Sequence, residues 1–178
     1  MTASVRVLSA VEAHARVGEL ADVLLDCVES GASVSFMRPL SHAKAMAFWH
    51  GIADGVANGA LILLVAEDEA RIIVGTVQVV FAQAENQPHR GDVAKMLVHR
   101  RGRRQGLGAQ LMLAAEQAAG AAGKTLLVLD TVTGGEGERL YRRAGWQEVG
   151  VVPDFALWPE GGLCATTFFY KRLACPPN

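Results

Sequence analysis

Arg103-Arg104-Gln105-Gly106-Leu107-Gly108 lies between a predicted strand and a predicted helix, and that placement decides the fold. Upstream, Asp92 to Val98 reads as a strand. Downstream, Gly106 to about Ala122 carries helical periodicity, with Leu107, Leu111, Ala114, Ala115 and Ala118 on one face. A helix that starts at such a loop presents unpaired amides and the positive end of its dipole, so an anion is favoured there. Gly106 and Gly108 lack Cβ atoms and allow phosphate oxygens close to the backbone, while Gly102 is expected to take positive φ in the turn. Arg100, Arg101, Arg103 and Arg104 add enough positive charge for a pyrophosphate and a further phosphate. A solvated basic turn without a ligand fits the same residues. The loop has neither the Gly-Lys-Ser/Thr ending of a Walker loop nor the GxGxxG pattern of a dinucleotide fold.

Working outward, Ser4 to Leu8 alternates as a short strand, and Ser9-Ala10-Val11-Glu12 has capping-box spacing. One helix is expected from there to about Glu29, burying Leu20, Val23, Leu24 and Cys27 and ending at Gly31. Pro39 interrupts the chain, and Ser41 caps a second helix to about Asn58. Ala60 to Ala66 and Ile72 to Phe81 read as a hairpin across the acidic turn Glu67-Asp68-Glu69. After the central helix come a buried strand at Thr125 to Thr131, a short helix at Glu136 to Ala144 ended by Gly145, and strands near Trp146 to Val152 and Thr166 to Lys171. The order β-α-α-β-β-β-α-β-α-β-β is that of a mixed α/β domain.

A chain of 178 residues without repeats or linkers is expected to form one domain, residues 1–178. No run of about 18 uncharged apolar residues is present, so no membrane partner is expected. A net charge of −1 gives no reason to expect nucleic acid. Cys27, Cys164 and Cys175 are few, odd in number and far apart, and no secretory pattern opens the sequence. A cytoplasmic location is therefore the expectation. No metal is expected: the cysteines lack paired ligand spacing, and His42, His50, His89 and His99 read as solvated. Cys164 has no neighbouring histidine to make it a nucleophile.

Arg103, Gly106 and Gly108 after Met96-Leu97-Val98, together with Leu140-Tyr141-Arg142-Arg143-Ala144-Gly145-Trp146, resemble the two linked motifs of the GNAT superfamily of N-acetyltransferases. The likeness extends over most of the chain through the order of its elements. It implies a central, mostly antiparallel sheet splayed in the middle and flanked by helices, with acetyl-CoA as co-substrate. Within the family, Gly31 to Met37, Leu129-Asp130-Thr131 and Thr166 to Lys171 are similar to the tabtoxin-resistance branch, whose substrate is a β-lactam-containing amino acid.

The resemblance assigns cofactor contacts to Met96, Leu97 and Val98 on the strand and to Arg103, Arg104, Gln105, Gly106, Leu107, Gly108 and Ala109 in the loop and first helical turn. A main-chain amide near Leu97 or Val98 would polarise the thioester carbonyl. Tyr141 falls where the family donates a proton or hydrogen bond to the CoA sulfur; a helix tyrosine packed on the sheet is the other reading. Asp130 ends an apolar strand and can take the amine's proton, hold its ammonium, or cap the Thr131 to Gly135 loop. Glu136 and Glu138 suit a helix's first turn and are left out of the catalytic set. Ser33, Phe36, Trp49, Phe155 and Trp158 are candidates for the acceptor wall, although Phe36 and Trp49 read better as core or partner-facing aromatics. Many family members carry an asparagine about seven residues before the tyrosine; here Gly134 and Gly135 occupy that stretch. The function implied is acetylation of a small-molecule amine, such as a toxin, antibiotic or amino-acid derivative. A protein or peptide N-acetyltransferase and a non-catalytic acyl-CoA-binding sensor are the alternatives. Dimers are common in the family, which brings a homodimer into view.

Overall fold

The structure is a computed structural model and describes residues 4–174, so Cys175 lies outside the described residues. Its strands are β1 (Ser4–Val7), β2 (Leu61–Glu67), β3 (Ile73–Phe81), β4 (Arg90–Val98), β5 (Leu126–Val132), β6 (Gln147–Leu157) and β7 (Leu163–Arg172). Its helices are α1 (Ala10–Ala15), α2 (Val17–Glu29), α3 (His42–Ala57), α4 (Leu107–Ala121) and α5 (Glu136–Arg143), with a 3-10 turn at Arg100–Gly102. The strands form one seven-stranded sheet in the order β1-β2-β3-β4-β5-β7-β6.

Both faces of the sheet are covered, which explains why β2 and β3 read as nearly continuous apolar runs. Along β2, Leu63 and Val65 face a core shared with α1, α2 and α3. Leu64 and Ala66 face the other core, built with Leu111, Met112 and Ala115 of α4. All pairings are antiparallel except β4 with β5. That parallel pairing is confined to Arg90, Gly91 and Asp92 beside Leu126, Leu127 and Val128. Beyond it the strands part, β4 staying with β3 as far as Val98 and β5 with β7 as far as Val132. The expected splay is therefore present. A register shift contributes on the β4 side: Gln78 pairs with Ala94 and Thr76 with Leu97, leaving an extra residue in β4. Lys95 there has φ 49°, and its carbonyl accepts a hydrogen bond from Thr76 Oγ1 at 2.8 Å. Such a bulge bends its strand and increases the local twist.

The helix expected from Ser9 to Glu29 is two helices, broken at Arg16 (φ −114°, ψ 18°). No proline marks the break, and the nearest glycine, Gly18, lies inside the first turn of α2. Arg16 instead reaches tertiary acceptors: its guanidinium donates to Glu19, to the Arg71 carbonyl at 2.6 Å and to Glu67. Glu67 is 2 % exposed and also receives two hydrogen bonds from Arg6, at 3.1 and 2.9 Å. The last hairpin is longer than the sequence indicates, because β6 continues through Pro153, with register shifts between Glu148 and Gly150 and between Val152 and Ala156. An outer strand tolerates proline, since the missing N–H faces no neighbour.

The capping box at α1 is complete: Ser9 Oγ accepts from the Glu12 amide, and Glu12 accepts from the Ser9 amide at 2.9 Å. These bonds, with Ser9's hydroxyl and Arg6, lower the Glu12 carboxyl to about 2. A carboxyl depressed on folding stabilises the fold fully above its unfolded value and loses that contribution as pH falls through the folded one. The gap in melting temperature between the wild type and Glu12→Gln is thus expected to narrow steadily as pH is lowered from about 6 to about 3. A gap independent of pH would contradict this assignment.

Candidate active site

The parting of β4 from β5 opens a cleft of about 970 Å³ on one side. Its walls are Met96, Leu97 and Val98 of β4, the start of α4, and the face of α5 carrying Tyr141. A second cavity of about 510 Å³ adjoins it, between Ala94 to Met96 of β4, Asp130 to Val132 of β5, and the Ser33 to Met37 segment. Met96, Thr131, Val132, Tyr141, Ser33 and Val34 belong to both. The two spaces meet at Tyr141.

At the first mouth, α4 begins after Gly106, whose φ of 75° is the left-handed conformation that glycine adopts without strain. No side chain caps this helix. Its first-turn amides, which have no partner within the helix, are therefore available where Gly106, Leu107, Gly108 and Ala109 line the cleft. The two other glycines serve packing. A Cβ on Gly108 would sit 3.1 Å from Leu140 Cδ2, so this glycine lets α4 approach α5. Gly102, expected to take positive φ, does not; a Cβ there would meet Leu107 Cδ1 at 3.0 Å. The left-handed turn residue is Arg104, at φ 61°.

The arginines are not equivalent either. Asp26 of α2, with a side chain 7 % exposed, accepts the Arg100 amide at 2.8 Å and also the Arg100 guanidinium. His99 Nε2 and Arg103 Nη2 lie 3.6 and 3.7 Å from the same carboxylate. His99 is thus held in the fold rather than solvated, and burial pushes its pKa down against the opposing pull of Asp26. Arg103 Nε also donates to the Val98 carbonyl at 3.0 Å. Arg104 lines the cleft and has no hydrogen-bond or ion-pair partner among the described residues. Gln105 turns away, donating to the Arg101 carbonyl at 2.9 Å. Sequence reasoning missed Asp26, because a lone aspartate on an otherwise apolar helix face gives no local signal. It also missed Arg139 and Arg143, which line the cleft from α5.

Tyr141 is 6 % exposed, packed against Trp146 and Phe169 at 6.1 Å between ring centroids. Its hydroxyl has no hydrogen-bond partner among the described residues. Burial, reinforced by Asp130, raises its pKa and keeps the phenol protonated. Asp130 opens into the second cavity and makes no bond to the Thr131 to Gly135 loop. That loop is held instead by Glu138, which accepts from the Gly134 amide, and by a 2.8 Å bond between Thr133 and Thr167. Desolvation raises the Asp130 carboxyl above the ordinary range, and Lys95 opposes the shift.

Of the aromatic candidates, Phe36 and Phe155 line the second cavity and Trp158 the first. Trp49 is fully buried and belongs to the core. Ser33 donates to the Leu157 carbonyl at 2.7 Å, tying the α2–α3 connection to the last hairpin. Cys164 is buried, with its thiol directed at Ser33. Among the described residues no helix is long and apolar enough to cross a membrane, and no group of three His, Cys, Asp or Glu gathers as a metal site requires.

An open helix end beside a split sheet, meeting a second cavity at a buried phenol, is the geometry of a group-transfer enzyme. Residues 59–148 match the family model described as "Acetyltransferase (GNAT) domain", half of the chain, and the chain belongs to that family of acetyltransferases. Solved structures share the fold. A phosphinothricin acetyltransferase from Sinorhizobium meliloti, in complex with acetyl-CoA, superposes with TM-score 0.81 at 20% identity over 98% of this chain and 90% of its own. An N-acetyltransferase from Staphylococcus aureus gives 0.80 at 15% identity, covering 98% of this chain and all of its own. A ribosomal-protein-alanine N-acetyltransferase from Brucella melitensis gives 0.77 at 20% identity, covering 96% and 99%.

Asp26 fixes the turn that leads into the open helix end. Asp26→Asn is expected to lower stability by about 1 to 2 kcal/mol in urea unfolding, because a part-buried, charge-assisted bond to Arg100 is weakened. A loss below about 0.5 kcal/mol would show the pair to be no better than a surface one.

Proposed function

We propose that residues 1–178 form one N-acetyltransferase domain that uses acetyl-CoA to acetylate the amine of a small molecule. The observation that carries the acceptor side is the roofing of the second cavity. The Ser33 to Met37 segment forms one wall, and its neighbours are tied to the last hairpin by Ser33 to Leu157, by the Arg38 amide to the Pro159 carbonyl at 2.8 Å, and by an Arg38–Glu160 ion pair. A walled cavity of about 510 Å³, open to solvent along Asp130, Phe155 and Leu157, has the size to take a small molecule, whereas an extended peptide needs a longer groove. The sequence likeness to the tabtoxin-resistance branch supports the same reading.

The donor cleft fits an acyl-CoA. The uncapped amides of Leu107 to Ala109 and the free guanidinium of Arg104 provide for a pyrophosphate, with Arg103 beside them. Arg139 and Arg143 add positive charge on the opposite wall. Gln105 is not needed at the phosphates and serves the turn. The β4 backbone at Met96 to Val98 is left without a β5 partner, so it can pair with the pantetheine arm and direct an amide at the carbonyl. Acetyl-CoA supplies the thioester whose carbonyl carbon bonds to the amine nitrogen as its C–S bond breaks.

The chain's own groups handle the protons. An alkylamine with a pKa of about 10 arrives as an ammonium. Asp130, whose carboxyl burial raises and so makes a stronger base, holds that ammonium and takes its proton, directly or through water. Tyr141 stands where the two cavities meet, protonated and with an unpaired hydroxyl, and donates to the departing sulfur. Removal of that hydroxyl in Tyr141→Phe is expected to depress kcat about a hundredfold while acetyl-CoA affinity changes little. Turnover equal to that of the wild type would take Tyr141 out of the mechanism.

A further inference from the structure

Lys95 is unusual in three ways that the acetyl-transfer chemistry leaves unused. It stands at the bulge of β4 with φ 49°, a conformation costly for a side chain with a Cβ. It is half-buried and lines the second cavity, and its ammonium lies 3.2 Å from Ser35 Oγ and 5.6 Å from the centre of the Phe48 ring. Finally, no carboxylate comes within ion-pair distance of it among the described residues. A hydroxyl and a ring face are weak partners for an ammonium in a walled cavity, and burial accordingly pulls its pKa down. Ser35 itself has φ 76°, so both ends of this contact rest on strained backbone. Among the described residues, the full charges on the cavity wall are Lys95 from β4 and Asp130 from β5, one of each sign, on strands that have already parted.

We propose that Lys95 is the receptor for an anionic group on the acceptor, so that the small molecule acetylated here is a zwitterion of the amino-acid type, with its amine at Asp130 and its carboxylate at Lys95. The proposal rests on the acetyltransferase function set out above. A plain amine would leave the Lys95 ammonium without a counter-charge in a cavity from which the acceptor expels water. A carboxylate supplies that charge with a strong, charge-assisted hydrogen bond. Ser35 then shares the orientation of the ammonium, and Phe48 supports it from behind.

The test is thiol release from acetyl-CoA with a panel of amino acids, each paired with its own carboxamide, which keeps the amine and removes the anion. For pairs that turn over, the wild type is expected to favour the acid by roughly tenfold or more in kcat/KM. Lys95→Met should collapse that preference, and Lys95→Arg should retain most of it. Stabilisation by acetyl-CoA on heating reports whether each variant is folded, and the wild-type ratio decides even if Lys95→Met is not. Equal use of acids and amides by the wild type, or a preference that survives in folded Lys95→Met, overturns the role of Lys95 while leaving acetyl transfer standing. Thiol release from none of the amines overturns the small-molecule function together with this inference.

Discussion

The short parallel contact between β4 and β5 governs the rest of the structure. Three residue pairs hold the strands together, and then each follows its other neighbour. An uninterrupted sheet would have given these backbones to each other and left no room between them. Because they part, backbone groups of β4 become available to a ligand, a cleft opens toward α4, and a second cavity opens beside the Ser33 to Met37 segment. The bulge at Lys95 adds to the divergence and is held by Thr76, so the split is fixed by the fold and needs no ligand to create it. A preformed gap costs little to organise when substrates enter.

Around that gap the chain separates structural from chemical duties. At the start of α4, Asp26 and Arg100 set the turn, Gly102 and Gly108 permit close packing, and Gly106 makes the left-handed entry to the helix. That leaves Arg104 and the helix amides for an anion. Where the cleft meets the second cavity, the aromatic packing of Tyr141 positions a hydroxyl with no hydrogen-bond partner among the described residues. Opposite it, Asp130 and Lys95 place charges of both signs in one small space.

Much of this was legible in the sequence because it is encoded locally. The strand–loop–helix passage around Gly106, the capping box at Ser9 and the cap at Ser41 are set by residues a few positions apart, and they lie where the sequence puts them. What escaped depends on distant partners. The break at Arg16 follows from Glu67 and the Arg71 carbonyl, Arg100 is held by an aspartate in another helix, and β6 gains residues only by pairing with β7. The two strands carrying Lys95 and Asp130 are separated by α4, so no spacing rule brings these side chains to one cavity. Gly102 shows the same limit: its need for glycine arises from Leu107 and Val74 packing over it, not from its own φ.

The account stands or falls on the open end of α4. Amide hydrogen exchange, with and without saturating acetyl-CoA, tests it residue by residue. Slowed exchange at Leu107, Gly108 and Ala109, together with Met96 to Val98 of β4, is the predicted result. Unchanged exchange at both segments with acetyl-CoA demonstrably bound would contradict it, since the cofactor would then lie outside the gap between β4 and β5.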